Sequence, residues 1–501
     1  MKFVRLLVAI LLLALTFNSE AHIGSPNVFY DGYAGPYPVR VVIRPPGVIP
    51  GLAEISVRVN TNGAHRVLVL PIRWDTGKNG APRPDEASLV SGETNLFGAQ
   101  LWFMRAGAQS VEIEVVGVSG RGRVMVPVNA IATRVLEMPR GMSVMLGTLG
   151  AGLVILAASI FGGAVRESVL PAGEVPSRKR LWSARGMAAF ALTTMVAILW
   201  FGNQWWQREA GDYHNNRLFR PVETDAEMSG GRLRLKFALD LLRRNGPLVP
   251  DHGKLMHLFL VREPGMDVFA HLHPTKINWN TFESSLPDLP TGNYRLYGDV
   301  TYETGFSDTL TTSIRIPPPM DGKRSQPDAD DAWRVAEPHD ATLLDARDVA
   351  LSKNFSITRL GDAAFMENQE TQLRFVIRHV QGGAVNLEPY MGMAAHLILR
   401  HDDGTVFTHL HPSGSFSMAA KQLFDLRAEG KAPLKIASYT NEPICRLPLN
   451  GPVGAVNARD EISFPYAFPK AGNYRLWVQT KIAGEILTGV FDISVAPERR
   501  R

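Results

Sequence analysis

Six histidines stand at matching places in two short stretches. MHLFLVREPGMDVFAHLHP carries His257, His271 and His273, and AAHLILRHDDGTVFTHLHP carries His396, His409 and His411. Imidazole is the commonest protein ligand for zinc and copper, and side chains two apart on a strand project from one face. Each His-Leu-His pair therefore offers two ligands together, and a third joins them if the strand before it pairs in the right register. In the second stretch an Asp403-Gly404 turn, a strong hairpin signal, sets His396 opposite His411. In the first, 16 steps separate His257 from His273, against 15 from His396 to His411. A three-residue loop, Pro264-Gly265-Met266, absorbs the difference and sets His257 opposite His273. Opposed side chains have Cβ atoms about 4.5–5.5 Å apart, a gap one metal ion can bridge.

The surrounding residues extend the repeat. Pro250 and Pro389 precede the first-strand histidines by seven positions, and Gly253 and Gly392 by four. The loops between them, PDHGKLMH and PYMGMAAH, place His252 opposite Met391, with Met393 close by. Imidazole suits copper or zinc, whereas thioether favours Cu(I), so this loop is a candidate source of a fourth ligand. His401 is an odd number of residues from His396 and should face the other side. With 13 histidines in 501 residues, chance is a poor account of the repeated pattern, although shared ancestry could preserve it without metal.

The elements that must hold these histidines are strands. Residues 225–317 read as a β-sandwich built around the first hairpin. Residues 350–496 repeat the plan, with LPTGNYRLY and FPKAGNYRLW at the same place in each copy. Between them, 318–349 is rich in Pro and Asp and reads as an exposed linker. The second copy carries an insertion at about 419–460. Before both lies 22–137, in which VRVVIR, AEISVRVN, RVLVLPIRW, AQLWFMR, SVEIEVVGV and RVMVPVNAI predict an additional sandwich. The fold class expected is thus mainly β, with three immunoglobulin-like β-sandwich domains plus two transmembrane α-helices.

Those helices are predicted at 142–165 and 187–206, apolar runs long enough to cross a bilayer. The second ends in Trp200, Trp205 and Trp206, residues suited to the membrane interface. The loop 166–186 carries Arg166, Arg178, Lys179, Arg180 and Arg185, which the positive-inside rule places in the cytoplasm. Residues 1–21 read as a signal peptide with cleavage after Ala21, which independently places the first β domain outside. The expected location is the inner (cytoplasmic) membrane, with N- and C-terminal domains extracytoplasmic. Cleavage there makes His22 the mature N-terminus, where amine and imidazole together can chelate copper. Against this stands the plain reading of His22 as the residue after a cleavage site.

Composition excludes several classes. The single cysteine, Cys445, rules out an intrachain disulfide framework and thiolate-rich metal sites. A net charge of +5 is small for this length, and no basic, aromatic-interleaved groove points to nucleic acid. A serine nucleophile elbow, a Walker loop and a paired-carboxylate motif are all missing, which argues against an enzyme of those kinds. Copper is the expected metal, with zinc as the alternative. A zinc hydrolase or hydratase using one histidine triad and a metal-free scaffold remain open beside it.

The module of proline loop, histidine strand and F-x-H-L-H-P strand, seen in VFAHLHP and VFTHLHP, resembles the YtkA-like immunoglobulin-type domains of bacterial envelope proteins. The resemblance spans about 225–317 and 350–496. It implies a β-sandwich with a role in copper binding or delivery, and hence a copper-donating or copper-accepting envelope protein as partner. Two membrane spans, the duplication and the insertion depart from a compact single-domain chaperone.

Overall fold

The computed structural model describes residues 26–498, apart from 62, 172, 230, 319–327, 340–345, 362–363, 384 and 433–460. Residues 1–21, read as a signal peptide, His22 and most of the insertion, with Cys445, lie outside the described residues. Residues up to Ile131 and from Phe219 onward form one compact unit, and Ala132–Leu218 form another.

The smaller unit contains the helices Arg140–Glu167 and Arg178–Asp212. Both are long and apolar enough to cross a membrane, and both leave large apolar side chains such as Leu149, Ile160, Val196 and Trp205 exposed. Ser177 caps the second by accepting from the Arg180 N–H. That helix begins well before 187, so the basic stretch Arg178–Arg185 is its first turns rather than loop. Helix propensity of Lys, Arg, Leu and Ala explains the extension.

The larger unit is built from β modules. The N-terminal one is an eight-stranded sheet. It contains the expected runs together with Val28–Ala34 and Asp85–Leu89, two strands absent from the sequence expectation. Asp85–Leu89 buries only Ala87, so it lacks the alternation by which strands are recognised. The sheet curls until its ends approach, because a Cβ on Gly122 would lie 1.9 Å from the Ala34 carbonyl oxygen.

Each histidine module is a pair of sheets. In the first, a four-stranded sheet containing Arg232–Phe237 and Thr281–Ser285 packs on the sheet containing Gly292–Tyr302, His257–Glu263 and Val268–Leu272. In the second, Phe355–Leu360, Glu370–His379 and Glu461–Ala467 pack on Glu485–Ala496, Gly472–Ile482, His396–His401 and Phe407–Leu410. The period-2 rule divides the hairpins cleanly. Leu258, Leu260 and Leu272 enter the first module's core, and Leu397, Leu399 and Leu410 the second's. The histidines face the opposite way, yet His257, His271, His273, His396 and His411 are buried.

They are buried because the two hairpin sheets pack against each other. Phe259, Val261, Phe269 and Tyr297 of the first module share one apolar cluster with Ile398, Phe407 and Trp477 of the second. Phe269 stacks on Trp477 at 4.8 Å and Tyr297 on Phe407 at 3.8 Å. At roughly 25 cal/mol per Å² of apolar surface, each such aromatic contributes about 2–3 kcal/mol to holding the modules together. Arg400, buried, donates to the Tyr297 hydroxyl at 2.8 Å and pairs with Glu263 across the same interface.

Two regions differ from expectation. The stretch read as an exposed linker contains a strand, Ala332–Val335, paired with Val268–Leu272. Its alternating Trp333 and Val335 are solvent-facing edge residues, which made the strand indistinct beside the Pro- and Asp-rich flanks. The start of the insertion forms the helix Met418–Ala428, capped by Ser417. Its Phe424 enters the core of the first histidine module and its Leu423 packs on Val249. The described part of the insertion is therefore a brace between the two copies.

Candidate metal centre

The predicted register holds. Leu258 pairs with Leu272 and Phe259 with His271, which carries His257 opposite His273. Leu397 pairs with Leu410 and Ile398 with His409, which carries His396 opposite His411. In the first hairpin Met266 takes a φ of 50° and its N–H donates to the Arg262 carbonyl, so the three-residue loop closes as counted. In the second, Gly404 takes a φ of 76°, a conformation glycine adopts without a Cβ penalty.

Within each triad the ligand nitrogens lie within 4.8 Å of one another. His257 Nδ1 is 3.2 Å from His271 Nε2, and His396 Nδ1 is 3.0 Å from His409 Nε2. A tetrahedral ion with metal–nitrogen bonds of 2.0–2.1 Å has edges of about 3.3 Å, so both spacings suit ligation. These buried groups could hold a metal ion.

Acceptors on the far side of the rings decide which nitrogen carries the proton. His257 Nε2 donates to the Asp251 carbonyl at 3.1 Å, and His396 Nε2 to the Tyr390 carbonyl at 3.1 Å. Asp251 and Tyr390 occupy the same position in the two loops, immediately after Pro250 and Pro389. His271 Nδ1 donates to Gln479 Oε1 at 2.8 Å, His273 Nδ1 to Asp331 Oδ1 at 3.0 Å, and His409 Nδ1 lies 3.3 Å from Asp299 Oδ2. A neutral imidazole has one N–H, and in five of the six triad histidines an acceptor stands outside to take it; His411 Nδ1 is buried without a partner among the described residues. The nitrogens facing each other inside the triads thus present lone pairs, and His273 Nε2 is buried with no partner among the described residues.

A proton is a poor substitute for a metal in that space. Burial, with the neighbouring His273 and His252, holds His257 well below the usual histidine range. Burial and surrounding imidazoles do the same to His271, His396, His409 and His411.

The structure keeps the two expected triads, one on each module, and adds what the sequence did not imply, that they stand side by side. The two triads meet across the interface, with His257 and His409 rings 5.6 Å apart and His271 and His409 rings 5.9 Å apart. Spacings within a triad are similar, for example 5.4 Å from His257 to His271. Outer partners cross over too: Gln479 of the second copy orients His271 of the first, and Asp299 of the first faces His409 of the second. These two residues sit opposite His396 and His257 on the neighbouring strands. The signal for them was the aligned GNYRL repeat, which places both six residues after its asparagine. Asp331 had no such signal, since it lies in the stretch read as linker.

The loop residues divide. His252, at φ 52°, brings its Nε2 within 3.3 Å of His411 Nε2 in the other copy. Met391 stands at the equivalent backbone position with φ 47°. Met393 is buried and its backbone pairs with Tyr390. The Tyr390 hydroxyl is 3.3 Å from His271 Nδ1 and donates to the Asp330 carbonyl at 2.8 Å. His401 uses both ring nitrogens locally, on Asp403 at 2.7 Å and the Ala471 carbonyl at 3.1 Å, and faces away from the triads as expected.

Residues 353–497, the second copy, match the family model described as "Domain of unknown function (DUF8832)". No curated protein matches the chain. Among solved structures it is similar at 7% identity to a tetra-tandem repeat in the extending region of a large adhesion protein, covering 89% of this chain and 71% of that one with a TM-score of 0.16. Fibronectin(III)-like modules of Clostridium thermocellum CbhA match at 7% identity, 56% and 97% coverage and a TM-score of 0.14. A putative membrane anchored protein from Corynebacterium diphtheriae matches at 9% identity, 95% and 97% coverage and a TM-score of 0.14. Similarity at this level carries no functional argument.

Proposed function

We propose that this chain is a membrane-anchored, extracytoplasmic copper-binding protein that stores copper or exchanges it with an envelope partner. The observation that carries the reading is the outward commitment of five of the six imidazole protons, which leaves lone pairs facing one another in buried triads spaced to bind a cation. The imidazole sets suit copper or zinc, and the resemblance of the F-x-H-L-H-P hairpins to copper-handling envelope domains favours copper. The apolar helices and the basic stretch between them support an inner-membrane anchor with the β modules outside.

Titration of the detergent-solubilised full chain with Cu(I), Cu(II) and Zn(II) tests this, with His271→Ala plus His273→Ala as control. Tight copper binding that the double substitution weakens is the expected result. Absence of tight binding, or binding indifferent to the substitution, contradicts the reading and favours a scaffold. Preference for zinc together with hydration or ester turnover favours the hydrolytic alternative.

A further inference from the structure

The arrangement of the triads has a chemical consequence beyond storage of separate ions. Ligand nitrogens group as two sets rather than one, so the cluster suits two ions, not a single shared one. Yet ring spacings across the interface, 5.6 Å for His257 to His409 and 6.2 Å for His271 to His396, hardly exceed those within each set. Two ions so placed are close enough to share one small ligand.

A route for that ligand exists. A cavity of about 180 Å³ is lined by His257 of the first triad and by His409 and His411 of the second. Its wall is polar and apolar in equal measure, with Lys254 beside Asp251, Asp299 and Asp308 among the lining residues. Water or a small anion entering there meets both triads. The fourth imidazole is distributed unequally. His252 Nε2 lies 3.3 Å from His411 Nε2, one edge of a tetrahedral site, and its side chain is 2% exposed, while it stands farther from the rest of that triad.

Resting on the metal-binding reading, we propose that the triads form one binuclear centre. His252 is the fourth imidazole of the ion held by His396, His409 and His411, and the cavity admits a small exogenous anion that bridges the two ions. The first ion keeps three imidazoles and lies on the side of the cavity marked by His257.

Electron paramagnetic resonance of the Cu(II)-loaded full chain, with copper counted on the same sample and azide as the probe anion, tests the proposal. The expected result is two coppers per chain, an integrated spin well below two, and a spectrum altered by azide. Two coppers with full, azide-insensitive spin intensity would overturn the binuclear centre while leaving metal binding intact. One copper per chain overturns it as well. No copper overturns both readings at once. His252→Ala should weaken one of the two ions by about ten- to a hundredfold and leave the other's affinity unchanged. Equal loss at both ions, or at neither, contradicts the assignment of His252. Because His252 lies on a loop outside both core clusters, a circular-dichroism melt matching the unaltered chain separates ligand loss from misfolding.

Discussion

The two histidine modules are copies in everything that faces their own cores and differ in what each lends to the other. Both use Leu-His alternation, the same hairpin register and the same loop carbonyl, Asp251 or Tyr390, to orient the first-strand imidazole. Across the interface the symmetry fails. The first copy contributes a carboxylate, Asp299, to the second triad, and the second returns an amide, Gln479. The first loop contributes an imidazole where the second has Met391. The repeat supplies both triads, and the residues that cross the interface make them unequal. Each triad has one carboxyl group behind a histidine, Asp331 behind His273 and Asp299 behind His409, so on the proposed reading it is His252, beside His411, that should make the second triad the stronger site for Cu(II).

Acidification should break both copies together and has the largest expected effect. In the unfolded chain the imidazoles protonate near pH 6.5, whereas burial and mutual repulsion hold them neutral well below that in the folded interface. Below about pH 6.5 the unfolded state binds more protons, so stability that is complete above that pH is lost on descent, by up to about 1.4 kcal/mol per pH unit for each such histidine. Urea melts of metal-free protein at pH 7.5 and 5.5 check the sign; equal midpoints would contradict it. Next comes Trp477→Ala, which empties the interface beside Phe269 and should cost about 3–5 kcal/mol, read as a lowered melting temperature together with weakened metal binding.

Smaller substitutions sharpen the asymmetry. Gln479→Ala should weaken the first triad, not the second, by roughly tenfold although Gln479 belongs to the second copy. Asp299→Asn should weaken the second triad by a similar factor. Competition titrations that resolve the two ions decide whether these losses fall on the opposite copy. Smallest is Met391→His, which makes the loops alike and should narrow the difference in Cu(II) affinity between the ions by less than about tenfold.

Much of this centre was legible in the sequence because strand geometry is periodic. Turn lengths and alternation alone placed His257 opposite His273 and His396 opposite His411, and an odd spacing removed His401. What could not be read was the docking of one sheet on the other. Phe259, Phe269, Tyr297 and Trp477 occupy the histidine face and gave the module a second apolar side, but no local pattern names the partner of such a face. Asp299 and Gln479 were visible as matched positions in the repeat, without a reason to single them out until the sheets met. Asp331 and the strand Ala332–Val335 were hidden by the composition around them, and the helix Met418–Ala428 by its place in an insertion that has no counterpart in the first copy.

If the facing nitrogens of the two triads are metal ligands, X-ray absorption at the copper edge of the loaded full chain shows it most directly. The expected spectrum has three to four imidazole nitrogens per copper at about 2.0 Å, with the outer-shell scattering of histidine rings, and His271→Ala plus His409→Ala should lower that ring scattering by about one imidazole per copper or abolish copper loading. A nitrogen or oxygen shell without ring scattering, or a spectrum untouched by that double substitution, would contradict it.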